Sequence, residues 1–460
     1  MTVDQLLAQA SAQAVEFLEG LPERAVGATA TAEELHEALG GPLPQGPSDP
    51  SAVLAQLVKG ADPGLVASAG PRYFGFVFGG SLPVSLAADW LASAWDQNAF
   101  SYVASPAAAV AEDVAAGWLR ELFGLPATAS AGFVTGCTMA NFTGLAAARH
   151  EVLARTGWDV ERDGLQGAPP VNLVVGEERH VTVDAALRYL GLGAGRALVV
   201  PADGQGRMRQ DALLQQLDRC HGPTIVCAQA GNVNTGAIDP VGPICEAAHE
   251  RGAWVHVDGA FGLWAAASPA LRPLIAGVEL ADSWATDAHK WLNVPYDAGL
   301  AFVAQPSAHQ AATGKFASYL PAGQAGERDN ANLVPEASRR ARGFPTWAAL
   351  RTLGAAGVAA LVERCCAHAR RFAEQLAVAP GVEVLNKVVL NQVLVRFLDP
   401  GGDHDARTRA VVGRLQRDGT AWFGGTTWQG RGAMRISVSN WSTTTADVDR
   451  TVAVILRAAA

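Results

Sequence analysis

From Pro71 to Val303, short apolar runs alternate with longer stretches of helical spacing, and this alternation narrows the fold more than any other feature of the chain. Short runs separated by helices cannot pair as tight hairpins. They join through crossover connections into a mainly parallel sheet with helices on both faces. The expected strands are 132–135, 171–175, 197–200, 224–228, 254–257, 283–286 and 299–304. Ahead of them, Leu6, Leu7, Ala10, Ala14, Phe17 and Leu18 lie at helical spacing, and Gly40-Gly41-Pro42-Leu43-Pro44 and the stretch from Pro47 to Pro50 follow. That pattern reads as an N-terminal helix or two on a loop-rich arm. Residues 347–377 are strongly helical, and the tail alternates again at 382–384, 393–397 and 434–438, which suggests a small α/β domain. The expected division is a helical arm over 1–70, a large domain over 71–345 and a small C-terminal domain over 346–460. Within the large domain, Gly323 to Arg328 is Gly-rich and polar, a candidate mobile loop over a site.

Composition excludes whole classes of function. Lys and Arg number 35 against 44 Asp and Glu, a net charge of −9, so the basic excess that a phosphate backbone requires is missing and nucleic acid is not an expected partner. Uncharged stretches such as 73–88 are broken by Gly or Pro and fall short of the ~20 apolar residues a bilayer demands, so no membrane span is expected. Asp4, Glu16 and Glu19 interrupt the N-terminus where a secretory signal would need an apolar run, and a cytoplasmic location is expected. Six cysteines, none in CxxC spacing and two adjacent (Cys365, Cys366), suit reduced, buried thiols rather than a disulfide framework or a zinc knuckle.

Only four of the 35 basic residues are lysines: Lys59, Lys290, Lys315 and Lys387. A lysine kept in so arginine-rich a chain suggests chemistry that arginine cannot perform. Lys290 follows a short strand that empties into Thr286-Asp287-Ala288-His289-Lys290, at the edge where open α/β sheets place ligands. Desolvated there beside His289, its amine is expected to have a lowered pKa and to serve as a nucleophile. One strand earlier, Trp254-Val255-His256-Val257-Asp258 ends in a carboxylate that needs a cationic partner, and Gly259 and Ala260 then let a flat ligand approach the backbone. Lysine and carboxylate at neighbouring strand ends are what pyridoxal phosphate requires: a Schiff-base amine and a partner for the pyridinium nitrogen. Gly132-Phe133-Val134-Thr135-Gly136-Cys137-Thr138 adds a strand, a small-residue turn and a helix start, a candidate phosphate cradle. His180, after the strand ending at Val175, could stack on a pyridine ring.

With these segments in view, the chain resembles the pyridoxal-phosphate-dependent group II amino acid decarboxylases, which include the aromatic amino acid and glutamate decarboxylases. The likeness rests on Thr-Asp-Ala-His-Lys-Trp-Leu-Asn-Val-Pro-Tyr-Asp, His-Val-Asp-Gly-Ala, Thr-Gly-Cys-Thr-Met-Ala-Asn and Arg-Ile-Ser-Val-Ser-Asn-Trp, in that family's order from about Pro71 to the C-terminus. It implies an α/β architecture of fold type I, the aspartate-aminotransferase-like arrangement, and a homodimer with active sites at the interface. It also implies that an L-amino acid loses CO2 through a quinonoid intermediate to give the amine, and the lack of a second basic residue to match a side-chain carboxylate favours an apolar or aromatic substrate. By the same resemblance, Lys290 forms the Schiff base, Asp258 holds the pyridinium nitrogen and His180 stacks on the ring as a base. Ala260 lies under the ring, Gly136, Cys137, Thr138, Asp287 and His289 surround the phosphate side, and Asn232 and Asn234 sit near the ring edge. Arg435 matches the arginine that grips the substrate α-carboxylate in glutamate decarboxylases, and Phe78 and Phe100 match substrate-pocket positions of aromatic decarboxylases.

The departures are informative. The family carries a loop tyrosine that protonates the α-carbon after CO2 leaves, whereas residues 326–332 hold none and only Tyr319 borders the stretch. Val77, Gly79 and Gly80 replace larger pocket residues. A rival outcome on the same cofactor is therefore an aldehyde synthase, an aminotransferase or a carbon–carbon lyase. A second rival reads His180, His256, Asp258 and His289 as ligands of a hydrolytic metal site, although no metal is expected. A third treats the chain as a non-catalytic cofactor binder.

Overall fold

The computed structural model describes residues 2–315 and 328–460. The chain divides into two compact units, one of residues 1–78, 371–385 and 394–460, the other of residues 79–370 and 386–393.

The second unit is built on a seven-stranded sheet: β1 (Ser130–Val134), β2 (Asn172–Gly176), β3 (Leu198–Val200), β4 (Thr224–Gln229), β5 (Trp254–Asp258), β6 (Ser283–Asp287) and β7 (Gly299–Val303), in the order β1-β7-β6-β5-β4-β2-β3. All seven expected strands are present, each within two residues of its expected bounds. β2, β3, β4, β5 and β6 pair in parallel, and β7 alone runs against its neighbours β6 and β1. β1, β4, β5, β6 and β7 are buried along their whole length, which is why they read as unbroken apolar runs rather than alternating ones. Three buried indoles are paired: Trp254 Nε1 donates to Ser283 Oγ at 2.9 Å, Trp264 Nε1 to the Asp287 carbonyl at 3.0 Å and Trp284 Nε1 to the Val278 carbonyl at 2.8 Å. The helix Cys137–Ala154 crosses the sheet with buried residues on most sides, and Gly144 leaves room there for the His256 ring.

The first unit holds the sheet β8 (Val382–Val384), β9 (Gln392–Phe397), β10 (Gly424–Trp428) and β11 (Arg431–Ser437), ordered β10-β11-β9-β8. Its N-terminal part carries three helices, Val3–Gly20, Ala32–Leu39 and Pro50–Ala61. The third falls where the prolines suggested loop. Asp49 accepts from Ala52 N at 3.1 Å as an N-cap and Pro50 occupies the first turn, where its missing N–H costs nothing. The helix Gly343–Ala377 covers the expected 347–377 segment and is interrupted at Gly354, whose φ of 59° departs from helical geometry. Among the described residues, no helix is long and apolar enough to cross a membrane.

Candidate active site

β5 and β6 are adjacent and parallel, so their C-terminal residues Asp258 and Asp287 share one sheet edge, and the start of the helix Cys137–Ala154 arrives there from β1. Asp258, 3% exposed, is clamped by three donors. Ala260 N (3.2 Å) and Cys137 Sγ (3.4 Å) donate to Oδ1, and Asn141 Nδ2 (3.3 Å) donates to Oδ2. Cys137 and Asn141 are one helical turn apart and so reach the two oxygens of one carboxylate from one face. Burial, reinforced by the Asp258 and Asp287 carboxylates, pushes the Cys137 thiol well up. It stays protonated and donates.

Lys290 Nζ lies 3.0 Å from Asp287 Oδ2. Burial works against its charge, but Asp287, with Asp258 behind it, outweighs burial and holds the amine above its ordinary value. This corrects the expectation of a lowered pKa: the strand-end carboxylate three residues earlier dominates, not the neighbouring imidazole. His289 is itself pulled down by burial, against the upward pull of Asp287. Its Nδ1 accepts from Ala298 N at 3.1 Å, and its Nε2 is 3.6 Å from Asp287 Oδ1. The first of the two pocket glycines also has a role in this geometry: a Cβ at Gly79 would collide with the Lys290 carbonyl, so the chain passes the lysine only as glycine.

Gly136 starts the helix without a side-chain cap, and the first intrahelical bond runs from Ala140 N to Gly136 O, so the N–H groups of Cys137, Thr138 and Met139 have no acceptor within the helix. Asp287 Oδ1 is buried without a hydrogen-bond donor among the described residues. An uncapped helix start, a clamped carboxylate and a buried amine fit the phosphate, the ring nitrogen and the aldehyde of pyridoxal phosphate. Ala260 packs with Cys137, Val134 and Ala140 in one cluster beside them.

His180 caps the helix Val181–Tyr189: its Nδ1 accepts from Thr182 N at 3.3 Å and lies 2.8 Å from Thr182 Oγ1. Asn232 is occupied by the protein. Its Nδ2 donates to the Glu178 carbonyl at 3.2 Å, and its Oδ1 accepts from Asn234 N and Thr235 N, which fixes the turn next to the segment that carries His180. His256 is committed on both nitrogens, to Ser283 Oγ (2.8 Å) and Asn141 Oδ1 (2.9 Å), which removes it from any metal-ligand set. Phe100 is half-buried, and its carbonyl accepts from Ala331 N. Phe78 and Arg435 belong to the first unit. There Phe78 stacks on Tyr73 and Phe76 at centroid distances of 5.4 and 5.2 Å, and burial pulls the Arg435 guanidinium down to about 10. Of the loop 323–328 only Arg328 is described. It donates to Asn330 Oδ1 (2.6 Å) and to the Ala131 carbonyl and pairs with Asp113 at 3.3 Å, whereas Tyr319 lies outside the described residues. Sequence reasoning gave Asn141, Thr182 and Ser283 no role. The one signal available was the one-turn spacing of Asn141 from Cys137.

Fold and site together define an α/β enzyme of the aspartate-aminotransferase-like architecture, organised to hold pyridoxal phosphate. The family model described as "Pyridoxal-dependent decarboxylase conserved domain" matches residues 33–398, and the chain belongs to that family of carboxy-lyases acting on amino acids. It is 28% identical over 403 residues to an aromatic-L-amino-acid decarboxylase of Bacillus atrophaeus, covering 86% of this chain and 81% of the relative. A 4-hydroxyphenylacetaldehyde synthase of Rhodiola rosea is 25% identical over 392 residues, covering 82% and 80% respectively. The crystal structure of Oryza sativa TDC with PLP and tryptamine superposes with a TM-score of 0.92 at 25% identity, covering 99% of this chain and 97% of that one.

Proposed function

We propose that this enzyme decarboxylates an L-amino acid with an apolar or aromatic side chain to its amine and CO2, with Lys290, Asp258 and His180 as its catalytic residues. The observation that carries the reading is the pair at adjacent strand ends, a three-donor carboxylate at Asp258 beside the ion-paired amine of Lys290. When bound, pyridoxal phosphate supplies a sink for the electron pair left at the α-carbon. Lys290 would hold the cofactor through its amine, which Asp287 positions at 3.0 Å. Asp258 would face the ring nitrogen and pair with its proton, because donors on both oxygens hold the carboxylate pointed. The helix start at Gly136, Cys137 and Thr138, with His289 close by, would hold the phosphate, and Ala260, packed beside Cys137, is small enough to leave room for the ring. His180 would pack against the ring, with Asn232 and Asn234 shaping the turn near it. For the substrate, the resemblance is the support: Arg435 for the α-carboxylate, Phe78 and Phe100 for the side chain. A homodimer is supported by apolar residues left exposed on the N-terminal helices, among them Leu7, Val15 and Leu57.

A second reading, aldehyde formation on the same scaffold, is favoured by one observation: residues 326–332 contain no tyrosine to return a proton to the α-carbon. Mass spectrometry of products from a panel of L-amino acids separates the two. Amine with CO2 supports decarboxylation, and aldehyde supports the alternative. Asp258→Ala should bind cofactor weakly and turn over at least a hundredfold more slowly, each tenfold being about 1.4 kcal/mol of barrier. Turnover near the wild-type rate would refute the site.

A further inference from the structure

Asn141 is wholly buried and uses every polar atom it has: Nδ2 donates to Asp258 Oδ2 (3.3 Å) and to Thr182 Oγ1 (3.2 Å), while Oδ1 faces His256 Nε2 (2.9 Å). The direction of every bond around it is fixed from the two ends. The Asp258 carboxylate accepts from Ala260 N and Cys137 Sγ on its other oxygen, so the Asn141 amide turns its nitrogen to Oδ2 and its oxygen to His256. His256 Nε2 must then carry the ring proton, which leaves Nδ1 to accept from the Ser283 hydroxyl at 2.8 Å. At the far end the Trp254 indole can only donate, and it donates to Ser283 Oγ at 2.9 Å, so the hydroxyl proton is free to point at His256. Trp254, His256 and Ser283 are fully buried, and no solvent competes for these bonds.

The second Asn141 proton fills Thr182 Oγ1, so the Thr182 hydroxyl hydrogen goes to His180 Nδ1, 2.8 Å away, where the Thr182 backbone N–H also points at 3.3 Å. Two donors therefore converge on Nδ1, and the proton of the neutral His180 ring sits on Nε2.

We propose that Asn141 is a positioning residue that couples the two cofactor-facing groups, orienting the Asp258 carboxylate with one amide hydrogen and, through Thr182, fixing His180 in its Nε2–H tautomer with the other. The polarity is imposed by the Trp254–Ser283–His256 chain behind it. His180 consequently offers a proton, not a lone pair, at Nε2. The proposal rests on the functional reading above for its consequence, but the tautomer itself does not depend on bound cofactor.

The experiment is 15N NMR of the full-length protein with labelled histidine, the His180 signals being identified by their loss in His180→Gln, together with a titration of pyridoxal phosphate followed by its visible absorbance. In the wild type His180 should show an unprotonated Nδ1 and a protonated Nε2. Thr182→Val, which leaves the Asp258 contact intact, should give a mixture of tautomers with cofactor affinity nearly unchanged. Asn141→Leu should lose the single tautomer and weaken cofactor binding about tenfold to a hundredfold, the usual worth of a hydrogen bond to a charged group. If Asn141→Leu fails to fold, Thr182→Val and Ser283→Ala carry the test, since each breaks one link without touching the carboxylate. A protonated Nδ1 in the wild type, or an unaltered His180 tautomer in Thr182→Val, overturns the proposal. A wild-type protein that takes up no pyridoxal phosphate would instead overturn the functional reading, with the tautomer still decided by the same spectra.

Discussion

Two carboxylates act on Lys290 in different ways. Asp287 makes the direct 3.0 Å ion pair, while Asp258 is already engaged by three donors and contributes only through its charge. Replacing Asp287 by Asn removes the larger upward pull and leaves burial to dominate, so the amine should lose its proton at lower pH. Since only the free amine attacks an aldehyde, the midpoint of the pH dependence of cofactor uptake by the apoprotein should move down in Asp287→Asn. A midpoint that stays put would remove Asp287 from this role. His256 provides a second residue-scale expectation. Burial lowers it from its ordinary 6.5 to about 4, so between those values the unfolded chain binds a proton that the folded chain does not. Stability from this group is therefore complete above pH 6.5 and is lost as pH falls toward 4, on the order of 3 kcal/mol in total. Urea midpoints of the wild type should drop across that window, and His256→Gln should show a shallower decline, by roughly one proton.

At the scale of single elements, two helix glycines with opposite surroundings make opposite predictions. Gly144, in the helix Cys137–Ala154, would place a Cβ 2.7 Å from His256 Cε1 and 2.8 Å from Nδ1, and the ring cannot retreat without breaking its bond to Ser283. Gly144→Ala should cost about 1–3 kcal/mol through overpacking and displace His256 from Asn141. Gly117, in the helix Pro106–Phe123, would meet nothing closer than the Arg120 guanidinium at 3.8 Å. Gly117→Ala should stabilise by about 0.5–1 kcal/mol, because it gains helix propensity at no steric cost. Denaturation midpoints of the two variants moving in the same direction would contradict this account. Elements of this unit were readable in advance because five of its seven strands are buried along their whole length, leaving uninterrupted runs such as Thr224–Gln229 between turn residues. The helix Pro50–Ala61 was hidden because proline clusters read as loop, although Asp49 before Pro50 is a helix start. Lys290 and Asp258 were recognisable from strand ends and motif, but the charge state of Lys290 and the bonds of Asn141 depend on partners from 3 to 117 residues away, whose convergence only the folded sheet creates.

At the scale of the whole molecule, the N-terminal helices have little buried surface of their own. In Val3–Gly20, Ala32–Leu39 and Pro50–Ala61 only Gly60 is buried, while Leu7 is 60% and Leu57 54% exposed. Val3, Leu7, Val15 and Leu18 recur at helical spacing, as do Val53 and Leu57, so the first and third helices each leave a stripe rather than scattered apolar residues. Fully burying one such side chain is worth roughly 1.5–3 kcal/mol, and several on adjacent helices would supply much of a stable association between copies. If these stripes hold two copies together, Leu7→Asp with Leu57→Asp should shift the sedimenting species from twice the chain mass toward the monomer. Each introduced charge would lose its water in the interface without a partner. Decarboxylation should fall in parallel if the sites depend on the paired state, while the secondary structure by circular dichroism stays that of the wild type, since neither leucine contributes to a core. A wild-type protein that sediments as a monomer at micromolar concentration, or a double variant that remains paired, would mean that the stripes have another occupant and that each copy works alone.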